Sequence, residues 1–88
     1  MINIDFTTKP KETMPEYVDD GHGNKHLYDE NGRQHSYNDL PAIIWATGAK
    51  VWFNHGVIHR GNDLPAMIGS TGTKYWYENG KCVSIKPP

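Results

Sequence analysis

An internal repeat is the feature of this sequence that most constrains its fold. The string Asn-Asp-Leu-Pro-Ala occurs at residues 38–42 and again at 62–66, 24 residues later. Three longer segments align around it: 23–44, 48–68 and 72–85. A period of 20–50 residues is typical of arrays in which one supersecondary unit packs against the next. We therefore expect about three copies of one unit, numbered here copies 1 to 3.

Each copy has the sequence pattern of a β-hairpin. A short aromatic segment bounded by glycine predicts the first strand, and a glycine turn follows it. The turn glycines are Gly32, Gly56 and Gly80. Asn-Gly tolerates the positive φ angles of a type I′ turn, whose twist matches the flanking strands. Copy 1 carries one extra residue in this turn.

The Asp-Leu-Pro-Ala segment predicts a second turn that leads into a third short strand. Asp39 and Asp63 suit a turn in which the side chain accepts a hydrogen bond from the backbone. Pro41 and Pro65 fix φ where a missing N–H is tolerated, at the start of a strand. The sequence thus predicts an all-β antiparallel meander of about eight strands, which forms a twisted sheet or an open roll.

Residues 1–20 lie outside the repeat and are expected to form an N-terminal arm. Ile2, Ile4 and Phe6 alternate with polar residues and predict a strand, residues 7–16 read as a linker, and another strand is expected to begin at Tyr17. The repeat domain is assigned to residues 21–88.

Two aromatic rows follow from the alternation of side chains along a strand. The first row consists of Leu27, Trp52 and Trp76, and the second of Tyr28, Phe53 and Tyr77. We expect the first row to form the core and the second to be partly exposed.

Composition limits the functions open to the chain. The 88 residues carry a net charge of −1, which does not favour a strong nucleic-acid binder overall. Residues 41–88 nevertheless hold five Lys/Arg against two Asp/Glu. The single cysteine, Cys82, excludes an internal disulfide, and no apolar run reaches membrane-spanning length. These features predict a soluble cytoplasmic protein.

Two His–Asp pairs recur at one spacing, His35 with Asp39 and His59 with Asp63. A catalytic pair needs a nucleophile as a third member, and the only thiol lies in copy 3, where the histidine is absent. We favour a structural role, in which the imidazole bonds the loop before the proline, over a pH-sensitive contact or catalysis. Zinc-ligand patterns are also absent. No enzyme activity, metal or cofactor is therefore expected.

The repeat resembles the tandem hairpin repeats of bacteriophage and giant-virus proteins, which look like variant MORN repeats. The pattern is Lys-x-Trp-Tyr-x-Asn-Gly, then His-Arg, then Asp-x-Pro-Ala, and residues 48–68 match it best. Copy 1 departs from it, since Leu27 replaces Trp and Ser36 replaces Arg. The resemblance covers about residues 21–85 and implies no catalytic residue. It implies a small phage-encoded protein that binds and blocks a host protein, such as a component of a defence complex.

Two binding functions are compatible with the sequence. The first is a protein-binding module, with partner contacts expected from one set of residues: Tyr28, Phe53, Tyr75, Tyr77 and Arg60. The second is a single-stranded nucleic-acid binder that stacks bases on Trp52, Phe53, Tyr75, Trp76 and Tyr77 beside Lys50, Lys74, Arg60 and Lys81. The small core and open sheet edges also predict a homodimer.

Overall fold

A computed structural model describes residues 16–88 and shows an all-β antiparallel fold without a helix in that range. Nine short strands are present there: β1 Val18–Asp19, β2 Lys25–His26, β3 Ile43–Ile44, β4 Lys50–Val51, β5 Phe53–Asn54, β6 Val57–Ile58, β7 Met67–Ile68, β8 Lys74–Glu78 and β9 Lys81–Lys86. The predicted fold class is confirmed.

The strands form two sheets rather than one continuous meander. Seven belong to a main sheet in the order β1-β2-β3-β4-β7-β8-β9, and β5 pairs with β6 alone. In copy 2 the chain thus leaves the main sheet after β4, forms the β5–β6 hairpin and returns through Pro65 to β7. In copy 1 the equivalent hairpin also leaves the main sheet, and its two sides are paired by a single antiparallel bridge between Tyr28 and Gln34. In copy 3, β8 and β9 pair along their length, with a bulge between Trp76 and Tyr77.

The hairpin turns follow the glycine pattern. His55 and Gly56 have φ of 46° and 88°, and Asn79 and Gly80 have 52° and 88°, as a type I′ turn requires. In copy 1 the Gly32 N–H donates to the carbonyl oxygen of Asp29 over 3.0 Å, and this glycine has a φ of 79°. This is a three-residue loop closed by a left-handed glycine, which accommodates the extra residue of copy 1.

Two of the three residues of the first row lie in the core, as predicted, and the third does not. Leu27 and Trp52 are 1% and 5% exposed, whereas Trp76 is half-buried. Two alanines, Ala42 and Ala66, are fully buried between them. The Leu27 N–H bonds the Ala42 carbonyl and the Trp52 N–H bonds the Ala66 carbonyl, so large and small side chains alternate across the strands.

The N-terminal arm is described only from residue 16. The strand predicted at Ile2–Phe6 and the linker up to residue 15 lie outside the described residues. The strand expected at Tyr17 is present as β1, which pairs with β2 at the margin of the main sheet. The Tyr17 hydroxyl also donates to the Pro41 carbonyl oxygen over 2.7 Å. The main sheet therefore begins within the segment that was assigned to the arm.

Candidate functional site: a groove across the junctions between copies

Each repeated histidine accepts a hydrogen bond from the hairpin turn of the next copy. His35 Nδ1 accepts the His55 N–H at 2.9 Å, and His59 Nδ1 accepts the Asn79 N–H at 3.1 Å. The expectation that these imidazoles bond the loop before the proline was therefore wrong. The same histidine-to-turn hydrogen bond thus holds each hairpin against the next one along the array.

Each tryptophan of the first row bonds the Asn-Asp turn of the preceding copy. The Trp52 indole N–H donates to the Asp39 carbonyl oxygen, and the Trp76 indole N–H to that of Asp63, both over 2.9 Å. Both aspartates have left-handed φ angles, 61° and 58°. The turns are thus held by backbone geometry and by the indoles, not by the aspartate side chains as expected. Leu27, in copy 1, has no such turn before it within the described chain.

Arg60 joins copies 1 and 2 through Asp39 and is held in place by two further contacts within copy 2. Its guanidinium donates to both carboxylate oxygens of Asp39, each at 3.0 Å, and to the Pro65 carbonyl oxygen at 3.1 Å. It also stacks on the Trp52 ring, 3.8 Å from the ring centroid. The hydrogen bonds from Arg60 hold the pKa of Asp39 below its usual value. Ser84 takes the place of this arginine in copy 3, and the Asp63 carboxylate makes no ion pair within residues 16–88.

A buried carboxylate that the sequence did not reveal ties the first hairpin to the second. Asp29 is 7% exposed, and its oxygens accept the N–H groups of Asn31 and Arg33 at 2.8 and 2.9 Å. It also contacts His55 Nδ1 at 2.7 Å and Arg33 Nε at 3.0 Å. The hydrogen bond from His55 is the largest of several that hold the pKa of Asp29 well below its usual range. The signal in the sequence was an aspartate at the start of the one turn that has an extra residue.

His55 also stacks on His35, with ring centroids 3.9 Å apart and an interplanar angle of 20°. Burial lowers the pKa of His35, and the neighbouring imidazole of His55 lowers it further. A His35 that keeps Nδ1 free of a proton can continue to accept the bond from the next turn.

Two neighbouring clefts open beside these junctions. The first has a volume of about 350 Å³ and includes Trp52 and Phe53 in its wall, and the second, of about 190 Å³, includes Trp76 and Tyr77 at the equivalent positions. Four residues line both clefts: His59, Arg60, Gly61 and Asn62. We call these two adjacent clefts together the junction groove.

The junction groove brings together three of the five expected partner-contact residues. Phe53 and Tyr77 each line one cleft, and Arg60 lines both. Tyr28 is 42% exposed but lies outside the two clefts. Tyr75 lies in the main sheet, opposite Met67 and Ile85.

The five aromatic residues expected to form a base-stacking platform do not share one surface. Trp52 is buried, Tyr75 lies in the main sheet, and Phe53 and Tyr77 belong to separate clefts. The lysines that were grouped with them, Lys50, Lys74 and Lys81, lie on strands β4, β8 and β9 of the main sheet.

The side chain of His26, a potential metal ligand, is engaged within the protein. His26 contacts Asp20 through Nε2 at 3.2 Å and Gln34 through Nδ1 at 2.8 Å. In the part of the chain that the structure describes, no three His, Cys, Asp or Glu side chains are grouped so as to hold a metal ion. The exposed Cys82 has its Sγ 3.8 Å from the Ser84 carbonyl oxygen.

Comparisons with known proteins give no assignment. No protein-family model matches the chain, and neither a curated protein nor a solved structure matches it. Among the described residues there is no helix with the length and apolar character needed to cross a membrane.

Proposed function

We propose that this protein is a non-catalytic binding module whose junction groove holds an extended segment of a partner protein. The observation that carries the proposal is the recurrence of one cleft at two consecutive junctions, with four residues that line both clefts. An aromatic residue lies at the same position of each cleft, Phe53 in one and Tyr77 in the other. Aromatic side chains in such grooves are common anchors for peptides.

The spacing of the copies favours an extended ligand. Each copy adds two strands to the main sheet, so equivalent positions lie about 10 Å apart. A polyproline II segment places equivalent side chains every three residues, about 9.3 Å apart. One partner segment in this conformation can therefore present similar side chains to both clefts. Grooves lined by aromatic residues bind this conformation because it is already extended and loses little entropy.

The polar residues of the groove suit recognition of a peptide backbone. Asn62 and His59 carry hydrogen-bonding groups along the shared part of the groove. The second cleft adds the carboxylate of Asp63, which makes no ion pair within residues 16–88. Arg60, by contrast, is held by Asp39 and Trp52, so it contributes a fixed wall to both clefts rather than a free charge.

We further propose that binding acts by steric blocking of the partner. The resemblance to phage hairpin repeats supports a host protein as that partner, in the cytoplasm of the host. A binding role also agrees with the site chemistry, since both repeated histidines use Nδ1 to join hairpins.

Affinity capture from a host lysate with matched baits tests this proposal. The wild-type bait should retain a partner, and Phe53→Ala and Tyr77→Ala should each lose most of it. Tyr28→Ala is the matched control, because it removes an exposed aromatic side chain outside the groove and should leave capture unchanged. A partner retained equally by all four baits, or retained by none that is folded, would contradict a role for the groove.

A further inference from the structure

The main sheet carries a row of lysines that the junction groove does not use. Cross-strand partners run Lys25 to Ile44, Ile44 to Lys50, Lys50 to Ile68, Ile68 to Lys74 and Lys74 to Lys86. Partners directly opposite one another in an antiparallel ladder lie on the same face of the sheet. Lys25, Lys50, Lys74 and Lys86 therefore form one line, named here the lysine row, with two half-buried isoleucines within it.

The charge of this row is largely unneutralised. All four lysines are exposed, and within residues 16–88 Lys25 alone forms an ion pair, with the Asp19 carboxylate at 3.8 Å. The other three lysines make no ion pair with any residue in 16–88. No aspartate or glutamate occurs in the segments 40–62 and 64–77, which contain the two central lysines.

Two lysines of the row face each other directly. Lys74 on β8 and Lys86 on β9 are register partners, and like charges at directly opposed positions destabilise a sheet. The repulsion would be relieved by an anion bound between the two ammonium groups. The Lys74–Lys86 repulsion therefore lowers the stability of the free protein, and a bound anion would remove this loss.

The shape of the row distinguishes among polyanions. Neighbouring strands lie about 4.8 Å apart, so the row extends about 24 Å over the five intervals from β2 to β9. Strands in a sheet rotate by about 20–25° each, so the row turns through about 100° along that length. A flat bilayer or a rigid duplex meets only part of such a line, whereas a flexible single strand can follow all of it.

We propose that the lysine row binds the backbone phosphates of single-stranded nucleic acid. The row places aliphatic rather than aromatic side chains between its lysines, so the contacts are to phosphates and show little base preference. This differs from a base-stacking platform on the aromatic residues. It is also independent of the junction groove, since none of the row lysines lines either cleft.

Fluorescence anisotropy with a short labelled oligothymidylate tests the proposal through its salt dependence. Four phosphate contacts predict a slope of log K against log salt of about −2.8, so a tenfold rise in salt weakens binding about 600-fold. In the double variant Lys50→Gln with Lys74→Gln, the slope should be about −1.4, so the same tenfold rise in salt weakens binding only about 25-fold. Lys81→Gln is the matched control, because it removes an exposed lysine of β9 outside the row and should leave the slope unchanged.

Two further variants test the row from opposite directions, one by removing a negative charge and one by removing a positive charge. Asp19→Asn removes the carboxylate that pairs with Lys25 and should tighten binding several-fold. Lys86→Gln should weaken binding while raising the urea midpoint, because it relieves the repulsion with Lys74. The proposal is overturned if the oligonucleotide does not bind at low salt, or if Lys81→Gln weakens binding as much as Lys50→Gln. Equal or tighter binding to a duplex of the same length, or to phosphatidylserine vesicles, would also overturn it.

Discussion

Replacing Trp52 by phenylalanine is expected to destabilise the protein about twice as much as the same replacement at Trp76. The two tryptophans occupy equivalent positions, and each indole donates to the aspartate carbonyl of the preceding copy over 2.9 Å. They differ in their surroundings. Trp52 is 5% exposed and lies under the Arg60 guanidinium, whereas Trp76 is half-buried at the wall of a cleft. The pair therefore separates burial from hydrogen bonding within one chain.

The expected magnitude follows from three contributions at Trp52. The lost hydrogen bond contributes about 1 kcal/mol, and the cavity of about 40 Å³ left by the smaller ring contributes about 1 kcal/mol more. Weaker stacking of Arg60 on a phenyl ring contributes about 0.5 kcal/mol. The free energy of unfolding should therefore fall by about 2.5 kcal/mol. Trp76 is only half-buried, so water can replace its lost contacts, and about 1 kcal/mol is expected there.

Urea unfolding followed by far-UV circular dichroism measures both values. With an m-value of about 1 kcal/mol per molar urea, the midpoints of the two variants should differ by about 1.5 M. Trp76→Phe is the internal control, since it makes the same chemical change with the same bond. Equal losses at the two positions, or a larger loss at Trp76, would show that burial under Arg60 does not determine the stability of the junction.

Three other predictions concern the junctions and the sheet edge. The free energy of unfolding should fall as pH decreases from about 7 to 5, because the pKa of His35 is lowered in the folded state and the unfolded chain then binds more protons. His35→Gln should flatten this part of the stability profile, measured by urea titrations at several pH values. A profile that His35→Gln leaves unchanged would contradict the prediction. A double-mutant cycle on Arg60→Gln and Asp39→Asn should give a coupling of about 0.5–1 kcal/mol, small because the carboxylate is half exposed to water, and a cycle without coupling would exclude the bidentate pair. If the predicted homodimer forms through β9, whose Ile85 is 58% exposed, Ile85→Lys should abolish it in light scattering, while a wild-type monomer at all concentrations would refute dimerisation.

The repeat and its turn chemistry made much of the fold predictable. The glycine turns and the burial of Leu27 and Trp52 all follow from local sequence patterns. The division into two sheets did not, because it depends on where the chain leaves the main sheet after Trp52, and alternation alone does not encode that step.

The candidate site was predictable only in part. Phe53 and Tyr77 line one cleft each and Arg60 lines both, and their contact with a partner stays a prediction. The roles of His35 and Asp39 were misjudged because their partners belong to the next copy, 20 or more residues away, and a single sequence does not reveal such long-range pairs. Asp29 was missed for the same reason, since its strongest contact is with His55.

The bonds between copies have a direction. Three side-chain hydrogen bonds that link one copy to the next have their donor in the later copy: the indole of Trp52, the guanidinium of Arg60 and the turn N–H of Asn79 all point back to acceptors in the copy before. Each junction is therefore a head-to-tail joint with distinct sides. A 24-residue unit inserted between copies 2 and 3 would meet a matching surface at both ends, so the array can change length in whole copies while its junctions stay the same.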